Sequence, residues 1–334
     1  MATETSTIQR WDTEDIDVQS DLLSGWEQEY RQLSCGKFVG NVATARGPRI
    51  TIAGERTNQS LHENIVPPSD TLVFGLVLNN DDALRINHHQ VKTTSLIALD
   101  GGREYDFRTS GSTELLGISF ERDWLFDCHG GEHAALVEDA LKRNVVPLDP
   151  ASTAMLRQFW LMLSRTLERE VDWPASMPLT LVAETALSNI LLALNMSKLD
   201  ALAVPRSDAC ERKVSVMQQA VRFMRAHLDT DVSIADVCAA THVSPRTLQY
   251  HFEENLGMAP QQYLKILRLN AARRLLRRLS RHEPSAQRRT SIADVAAQCG
   301  YEHASRFAGD YKRLFGTLPS ETLRGTAAEA CAQD

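Results

Sequence analysis

Three polar side chains near the C-terminal end of the sequence have the types and spacing needed to contact DNA bases. Arg246 and Gln249 carry donors and acceptors that match guanine and adenine edges in the major groove, and Tyr250 lies beside them. Leu248 and Phe252, four residues apart, would occupy the opposite, buried face of the same helix. We therefore predict that Arg246, Gln249 and Tyr250 contact bases.

The element that would position these side chains occurs twice in the sequence. The five residues Ser233–Val237 return letter for letter as Ser291–Val295, at an offset of 58 residues. A second set recurs at an offset of 59 residues, with Phe252, Gly257 and Pro260 matched by Tyr311, Gly316 and Pro319. Each copy has the pattern of a helix, a tight turn, a second helix, a Gly stop and a Pro, which is typical of a helix-turn-helix unit. A duplicated unit of this kind is a specific signal.

Local signals delimit the two helices of the first copy. Ser233 is expected to cap the first helix, with Asp236 at the third position, where a carboxylate completes the cap. Thr241–Val243 would turn the chain, Ser244 would cap the second helix, and Pro245 occupies its first position, where a missing N–H costs nothing. Any surface helix can carry Arg and Gln, but the repetition of cap, turn and stop in register indicates DNA binding.

The second copy carries shorter side chains at the matching positions. Adding 59 to the numbers of the three predicted base contacts gives Ser305, Ala308 and Gly309, and a glycine costs ~1 kcal/mol relative to Ala in a helix interior. We hypothesise that the first copy contacts bases, whereas the second mostly holds phosphates and fixes the register. The base contacts predicted in the second copy are Ser305, Arg306 and Ala308, of which Ala308 would touch a thymine methyl. The phosphate contacts predicted over both copies are Ser233, Thr247, His303, Arg306, Lys312 and Arg313.

A long helix is predicted between the two copies, over Gln261–Arg278. Its apolar positions share one side and are Leu264, Leu267, Ala271 and Leu275. Eighteen residues at ~1.5 Å rise span roughly 27 Å, which is of the same order as the ~34 Å between successive turns on one face of DNA. The helix would act as a rigid spacer between two recognition helices, and Ser280–Arg289, which contains Pro284, would end it.

The part of the chain up to Phe120 favours β structure. Six short β-favouring runs are separated by turn sequences such as Gly-Pro, Asn-Asn-Asp-Asp and Asp-Gly-Gly. The runs are Phe38–Thr44, Arg49–Arg56, Thr71–Leu78, Ala83–Asn87, Ser95–Asp100 and Thr113–Phe120. We predict a sandwich or small barrel, preceded over residues 18–36 by a polar lead-in with a short amphipathic piece.

Two amphipathic helices are predicted after the β-rich region. Asp149 would cap the first, which runs to about Glu170, and Pro178 would open the second, which continues through Leu194. Their apolar stripes would either cover the β core or present an apolar face to a second subunit. The expected linker to the duplicated unit is Leu199–Glu211.

Charge is distributed unevenly along the 334 residues, which are enough for two or three domains. The formal net charge is −7, but the part from Arg206 onward carries +5 and the rest carries −12. Attraction to a polyanion therefore belongs to the C-terminal part. No apolar run is expected to approach the ~20 residues that span a bilayer, and Met1–Asp17 is polar and acidic rather than a signal sequence. We therefore predict a cytoplasmic protein without a membrane partner.

The sequence predicts neither a metal centre nor a disulfide framework. Six cysteines are scattered without a Cys-x-x-Cys pair, and we interpret them as buried free thiols. The adjacent pair His88–His89 would lie on opposite faces of a strand, and His62–Glu63 makes no site alone, so these histidines are interpreted as surface residues. Three arginines could face a barrel interior and meet an anion, although solvated strand positions explain them more simply: Arg49, Arg56 and Arg103.

Four motifs in the C-terminal part extend the repeat. They are Ser244-Pro-Arg-Thr-Leu-Gln-x-x-Phe252, Leu256-Gly257-x-x-Pro260-x-x-Tyr263-Leu264, Arg268-x-x-x-Ala272-Arg273-x-Leu275-Leu276, and Gly300-Tyr301-x-x-x-Ser305-Arg306-Phe307 followed by Tyr311-Lys312-x-x-Phe315-Gly316-x-x-Pro319. Through them, residues 214–324 resemble the DNA-binding domain of the AraC/XylS family of bacterial transcription regulators. Gly25–Phe38 more loosely resembles the sensor half of ethanolamine-operon-type regulators, which implies a β-rich sensing and dimerising domain.

The combined expectation is an α+β multidomain protein. Its N-terminal part would be a cupin-like β-sandwich or barrel with following helices, and its C-terminal part an all-α domain with two helix-turn-helix units at 233–255 and 291–314. The predicted boundaries are 18–198 for sensing and dimerisation (β-rich 36–120, helical 121–198), 199–211 for the linker and 212–325 for DNA binding. The resemblance implies a homodimeric regulator whose partners are double-stranded DNA, a small-molecule effector and RNA polymerase.

Two other classes of protein compete with this expectation. In the first, the N-terminal domain only dimerises or binds a protein partner, and no small ligand acts on it. In the second, an enzyme is fused to a DNA-binding tail. The sequence contains no Gly-x-Ser-x-Gly, Walker, Cys-x-x-Cys or His-Glu-x-x-His motif, so we predict no catalytic residue and no cofactor. No effector can be identified from the sequence.

Overall fold

The chain forms two compact units, which we call the β unit and the helical unit. The β unit comprises residues 1–30 and 38–206, and the helical unit comprises residues 31–37 and 207–334. The computed structural model describes residues 7–80, 84–87, 89–169, 173–174, 177–200, 208–228, 230, 232–281 and 290–325. Most of the predicted linker and of the predicted break after the long helix, at residues 201–207 and 282–289, lies outside the described residues.

Twelve described strands build two sheets in the β unit. The larger sheet has the order β1-β3-β4-β11-β6-β9-β12 and the smaller the order β2-β5-β10-β7-β8. The strands are β1 Thr7–Thr13, β2 Glu27–Gln32, β3 Gly40–Arg46, β4 Ile50–Thr57, β5 Leu61–Val66, β6 Thr71–Asn80, β7 Leu84–Ile86, β8 His89–Val91, β9 Ser95–Asp100, β10 Tyr105–Arg108, β11 Thr113–Glu121 and β12 Val145–Pro147. The six predicted runs coincide with β3, β4, β6, β7, β9 and β11, and the α+β fold class is confirmed.

Four helices accompany these sheets: α1 Ile16–Asp21, α2 Arg122–Arg143, α3 Pro150–Glu168 and α4 Leu179–Asp200. The carboxylate of Asp149 accepts the backbone N–H groups of Ala151 and Ser152, so the predicted cap of α3 is confirmed. The α3 stripe packs on the larger sheet, where Trp160 is fully buried and its indole N–H donates to the carbonyl of Leu116 at 3.1 Å. These contacts show that the apolar stripe of α3 covers the β core, which was one of the two alternatives left open by the sequence.

Helix α4 corrects one expectation from the sequence. By length and composition alone, its segment Leu179–Ser197, with a mean hydropathy of 1.4, is apolar enough to cross a membrane. The expectation that no run approaches that length was therefore wrong. Half of this segment is nevertheless buried, and Ala183, Leu187 and Ile190 belong to the core of the β unit. The apolar composition of α4 is therefore explained by its packing in the core of the β unit.

The helical unit contains seven described helices, which form two bundles on a shared central helix. The helices are α5 Asp208–Ala226, α6 Ile234–Thr241, α7 Pro245–Leu256, α8 Pro260–Arg281, α9 Ile292–Gln298, α10 Ala304–Phe315 and α11 Pro319–Arg324. Tyr263 and Leu267 of α8 belong to the core of the first bundle, whereas Ala272 and Leu276 belong to that of the second. The 22 residues of α8 span about 33 Å, so one continuous helix forms part of both cores.

Residues 31–37, which we call the strap, lie in the helical unit although the first two of them are the last two residues of β2. The Gln32 backbone N–H donates to Oδ1 of Asn270 at 3.0 Å, and Nδ2 of Asn270 donates to the Gln32 carbonyl at 3.1 Å. The Gly36 N–H donates to the carbonyl of Leu314 at 3.0 Å, and Leu33 packs against the cores of both bundles. The strap is therefore a structural part of the helical unit.

Candidate nucleic-acid interface

The first helix of each copy begins with the same reciprocal cap. In α6, the Ser233 N–H donates to Oδ2 of Asp236 at 2.8 Å, and the Asp236 N–H donates to Oγ of Ser233 at 3.3 Å. In α9, the matching distances between Ser291 and Asp294 are 2.8 and 3.1 Å. The hydrogen bonds from each serine, which favour the ionised form, lower the pKa of the paired aspartate. The caps fix where both first helices begin.

The turn of the first copy places its second helix as the sequence predicts. His242 ends α6 in the left-handed conformation with φ 55°, and the Ser244 hydroxyl accepts the N–H of Thr247 at 3.1 Å to cap α7. Leu248 and Phe252 of α7 are fully buried in the first bundle. This burial fixes which face of α7 is left outward.

The three predicted base contacts of the first copy share that outward face. Arg246, Gln249 and Tyr250 are all exposed, and Tyr250 keeps 53% of its surface accessible. The Gln249 side-chain amide donates to Oε1 of Glu253 at 2.8 Å. Contact with an adenine edge by Gln249 would therefore require this exposed hydrogen bond to open.

The second copy presents a flatter outward face. Phe307 and Tyr311 of α10 are fully buried, and Ser305 and Arg306 are exposed. A Cβ built on Gly309 would meet no atom within 4 Å, so the surface there is open. Among the remaining predicted contacts of the two copies, Thr247, His303, Lys312 and Arg313 are exposed and Ala308 is partly buried.

An open depression of about 960 Å³ joins the two copies within the helical unit. Its lining includes three predicted DNA contacts, Ser233 from the first copy and His303 and Arg306 from the second. Lys265 and Arg268 of α8 line the same depression, and Nζ of Lys265 lies 2.7 Å from Oδ1 of the buried Asp310. Neither cation was among the predicted DNA contacts, although both lie on the helix predicted to join the copies.

Several charged residues of the β unit differ from their predicted surroundings. His62 is fully buried, and its Nε2 lies 2.8 Å from Oδ2 of Asp106, so the interpretation of His62 as a surface residue was wrong. Nε of Arg108 lies 2.7 Å from Oδ1 of Asp106. Burial raises the pKa of Asp106, but the positive charges of His62 and Arg108 outweigh it and hold this pKa below its usual range.

The three arginines considered for an anion site are exposed and lie beside carboxylates. Arg49 pairs with Glu121, Arg56 with Glu114 and Glu168, and Arg103 with Asp100. Two of the three cysteines whose environment is described, Cys238 and Cys299, are buried free thiols, but Cys35 is exposed. Within the described ranges, no group of three His, Cys, Asp or Glu side chains is arranged to hold a metal ion.

Comparisons with known proteins find one family match and several relatives of this chain. Residues 237–325 match the family described as a helix-turn-helix domain. The probable thc operon regulatory protein of Rhodococcus erythropolis is 29% identical over 217 residues, which cover 64% of this chain and 61% of that protein. The XylDLEGF operon transcriptional activator of Pseudomonas putida is 35% identical over 107 residues, or 32% of each chain. This chain therefore spans less than two thirds of the length of either relative.

Solved structures give weaker matches. A transcriptional regulator from Chromobacterium violaceum, described as containing an AraC-type DNA-binding domain, is 27% identical with a TM-score of 0.30 and covers 38% of this chain and 100% of its own. The AraC-like transcriptional activator CuxR is 16% identical with a TM-score of 0.39 and covers 87% of this chain and 100% of its own.

Proposed function

We infer that this chain, whose C-terminal residues form a DNA-binding domain of the AraC/XylS family, is a sequence-specific transcription regulator. The observation that carries the proposal is the pair of capped helix-turn-helix units, each with a buried aromatic face and an exposed opposite face. The two relatives described above are named as operon regulators, and one as an activator, which supports activation as the mode of regulation. RNA polymerase would then be a partner, and the cytoplasm the place of action.

The two copies would divide the recognition of DNA. Arg246, Gln249 and Tyr250 of the first copy are long, exposed and suited to base edges, whereas the second copy offers Ser305, Ala308 and Gly309 at the matching positions. The second copy would therefore mainly hold phosphates, through His303, Arg306, Lys312 and Arg313. In the first copy, Ser233 and Thr247 would add phosphate contacts. Ser305, Arg306 and Ala308 of the second copy would also approach bases. Lys265 and Arg268 would add positive charge between the copies.

Genome-wide footprinting of the bound protein would identify an operator, on which this division can be tested. We expect Arg246→Ala to weaken operator binding more than binding to scrambled DNA. The difference between the two losses in binding free energy should be about 1–3 kcal/mol. Lys312→Ala, at an exposed residue of the second copy assigned to phosphate contact alone, should weaken binding to both DNAs to a similar extent, because phosphate contacts carry no sequence information. An equal loss of specificity from both substitutions would contradict the division.

Phosphate contacts also predict a strong dependence on salt. If each protein neutralises six to ten phosphates, affinity should fall about 10³- to 10⁵-fold between ~50 and ~200 mM salt. Binding that stays constant over this range would contradict docking through the basic C-terminal part.

For the β unit we propose sensing and dimerisation, with domain boundaries of 18–198 for this part, 199–211 for the linker and 212–325 for DNA binding. The outer faces of α3 and α4 carry exposed large apolar side chains, and they are Met162, Leu181, Leu192 and Met196. An apolar surface of this kind fits contact with a second copy of the chain. Light scattering of the purified chain should show a dimer that Leu192→Asp dissociates. The control Val39→Asp, at a position 49% exposed outside these helices, should leave it intact.

A further inference from the structure

A small cavity of about 90 Å³ lies between the two sheets of the β unit. Strands β2, β5 and β10 of the smaller sheet and β4, β6, β9 and β11 of the larger sheet supply its lining. Most of that lining is apolar, including Trp26, Ile65, Val73, Ile97, Leu99 and Phe107. Since one water molecule takes about 30 Å³ of liquid volume, the space suits a molecule of only a few non-hydrogen atoms.

Two carboxylates interrupt these apolar walls. Glu55 of β4 accepts hydrogen bonds from Nε2 of Gln19 at 2.9 Å and from the Tyr30 hydroxyl at 3.0 Å. Glu63 of β5 also lines the cavity and is only 5% exposed. Successive side chains of β5 point to opposite faces of the sheet. Glu63 and Ile65, two residues apart, therefore both face the cavity, whereas His62, next to Glu63, pairs on the other side with Asp106.

The Glu63 carboxylate has no hydrogen-bond or ion-pair partner among the described residues. Burial, and then the negative charge of Glu55, raise the pKa of Glu63 well above its ordinary value of 4.5. Burial also raises the pKa of Glu55, although the hydrogen bonds from Gln19 and Tyr30 oppose the rise. A buried polar group without a partner is unfavourable, and two carboxylates that face one cavity repel each other once both are ionised.

A positive charge placed between the two carboxylates would remove both penalties. An ammonium group has three donors, which fit the free Glu63 oxygens and the remaining acceptor sites of Glu55. The aliphatic and aromatic walls favour a short apolar body on the same molecule, and aromatic faces also attract cations. An anionic ligand would instead meet the negative charge of this pair.

We propose that this cavity binds a small organic cation, a primary ammonium on a short apolar chain, between Glu55 and Glu63. The inference rests on the proposed function in one respect, because it names the chemical class of the signal that the β unit would sense.

The first experiment compares three isosteric probes on the full-length chain by thermal shift and calorimetry: n-propylamine, 1-propanol and propionate. We expect n-propylamine to raise the unfolding temperature, and 1-propanol and propionate to bind at least about tenfold more weakly, since loss of one charge-assisted contact is worth about a factor of ten or more. Equal binding of amine and alcohol, or the absence of any amine binding, would overturn the proposal.

A substitution then locates the site. Glu63→Gln keeps the size and removes the charge, so n-propylamine binding should fall at least about tenfold. The control Glu27→Gln changes an exposed glutamate of β2 outside the lining and should leave binding unchanged. Retention of full amine affinity by Glu63→Gln would overturn the assignment of the site.

Proton release gives a further readout. The titratable groups that line the cavity are Tyr30 of β2, Glu55 of β4 and Glu63 of β5. Because an ammonium favours the ionised pair, amine binding should release a proton and strengthen as the pH rises from about 4.5, the ordinary pKa of a glutamate, through the raised pKa of Glu63. Binding that does not change over this range would contradict contact with these carboxylates.

DNA binding measured on the same samples separates the two proposals. A chain that binds its operator but no amine would refute only the cation site. A folded chain that binds the amine but no duplex would leave the cation site standing and refute the proposed function.

Discussion

The hydrogen bonds of Asn270 predict a large effect from a small substitution. Asn270, on α8, is only 2% exposed, and its side chain both accepts the N–H and donates to the carbonyl of Gln32 in the strap. In Asn270→Ala the side-chain amide is lost while the helix is preserved. The two backbone groups of Gln32 then lose their Asn270 partner inside the helical unit.

The size of the effect follows from these two bonds. A typical hydrogen bond contributes about 0.5–1.5 kcal/mol, and a buried group left unpaired costs about 1–3 kcal/mol. Alanine offsets up to about 0.7 kcal/mol through its better helix propensity. We therefore expect the strap to be held about 2–3 kcal/mol less tightly, which equals a roughly 30- to 150-fold loss of protection against amide exchange.

Hydrogen exchange followed by mass spectrometry measures this directly, since a protein of two units has no single unfolding free energy. The control Gln262→Ala replaces an exposed amide on the same helix and should leave exchange in residues 31–37 unchanged. If Asn270→Ala and Gln262→Ala gave the same exchange in residues 31–37, the account of the strap would be refuted.

Three further predictions concern the cores and the buried charges. Phe307→Ala, at a fully buried position of α10, should cost about 3–5 kcal/mol in the second bundle, measured by hydrogen exchange of α10. Asp106→Asn leaves His62 and Arg108 without their anion and should destabilise the β unit at pH 7 by about 3–5 kcal/mol, seen as a lower unfolding temperature, whereas an unchanged temperature would exclude a structural role for this triad. Because the folded-state pKa of Glu63 is raised, its contribution to stability is present below pH ~4.5 and is lost as the pH rises through the folded-state value. Glu63→Gln should therefore be more stable than the wild type at pH 8 and similar to it near pH 4, and parallel stability curves would contradict this.

The elements of the helical unit could be predicted because their signals are local. Ser233 with Asp236, and Ser244 with Pro245, act within one helical turn, so the caps and the turn follow from neighbouring residues. The repeat of these signals then fixed the second copy as well. Six of the strands were predictable for the same reason, since β-favouring runs and turn residues bounded them.

The features that could not be predicted from the sequence depend on contacts between residues that are far apart in the chain. The strap begins within β2, and its hydrogen bonds to Asn270 and Leu314 join it to the helices. The strand β5 contains His62 and Glu63, which suggest a solvated segment until Asp106 on β10 is known to pair with His62. Residues 121–198 were predicted to be helical, but α2 was not predicted as a separate helix, because its sequence contains the pair Gly130–Gly131, which disfavours helix without support from packing.

We propose that one rigid helix, α8, presents two helix-turn-helix units to the same face of a duplex. Hydroxyl-radical footprinting of the full-length chain on its operator tests this most directly. The structure predicts that each protein protects two patches on one face of the DNA, about ten base pairs apart, because α8 spans about one helical turn. A single protected patch for each protein, or two patches on opposite faces, would contradict the account.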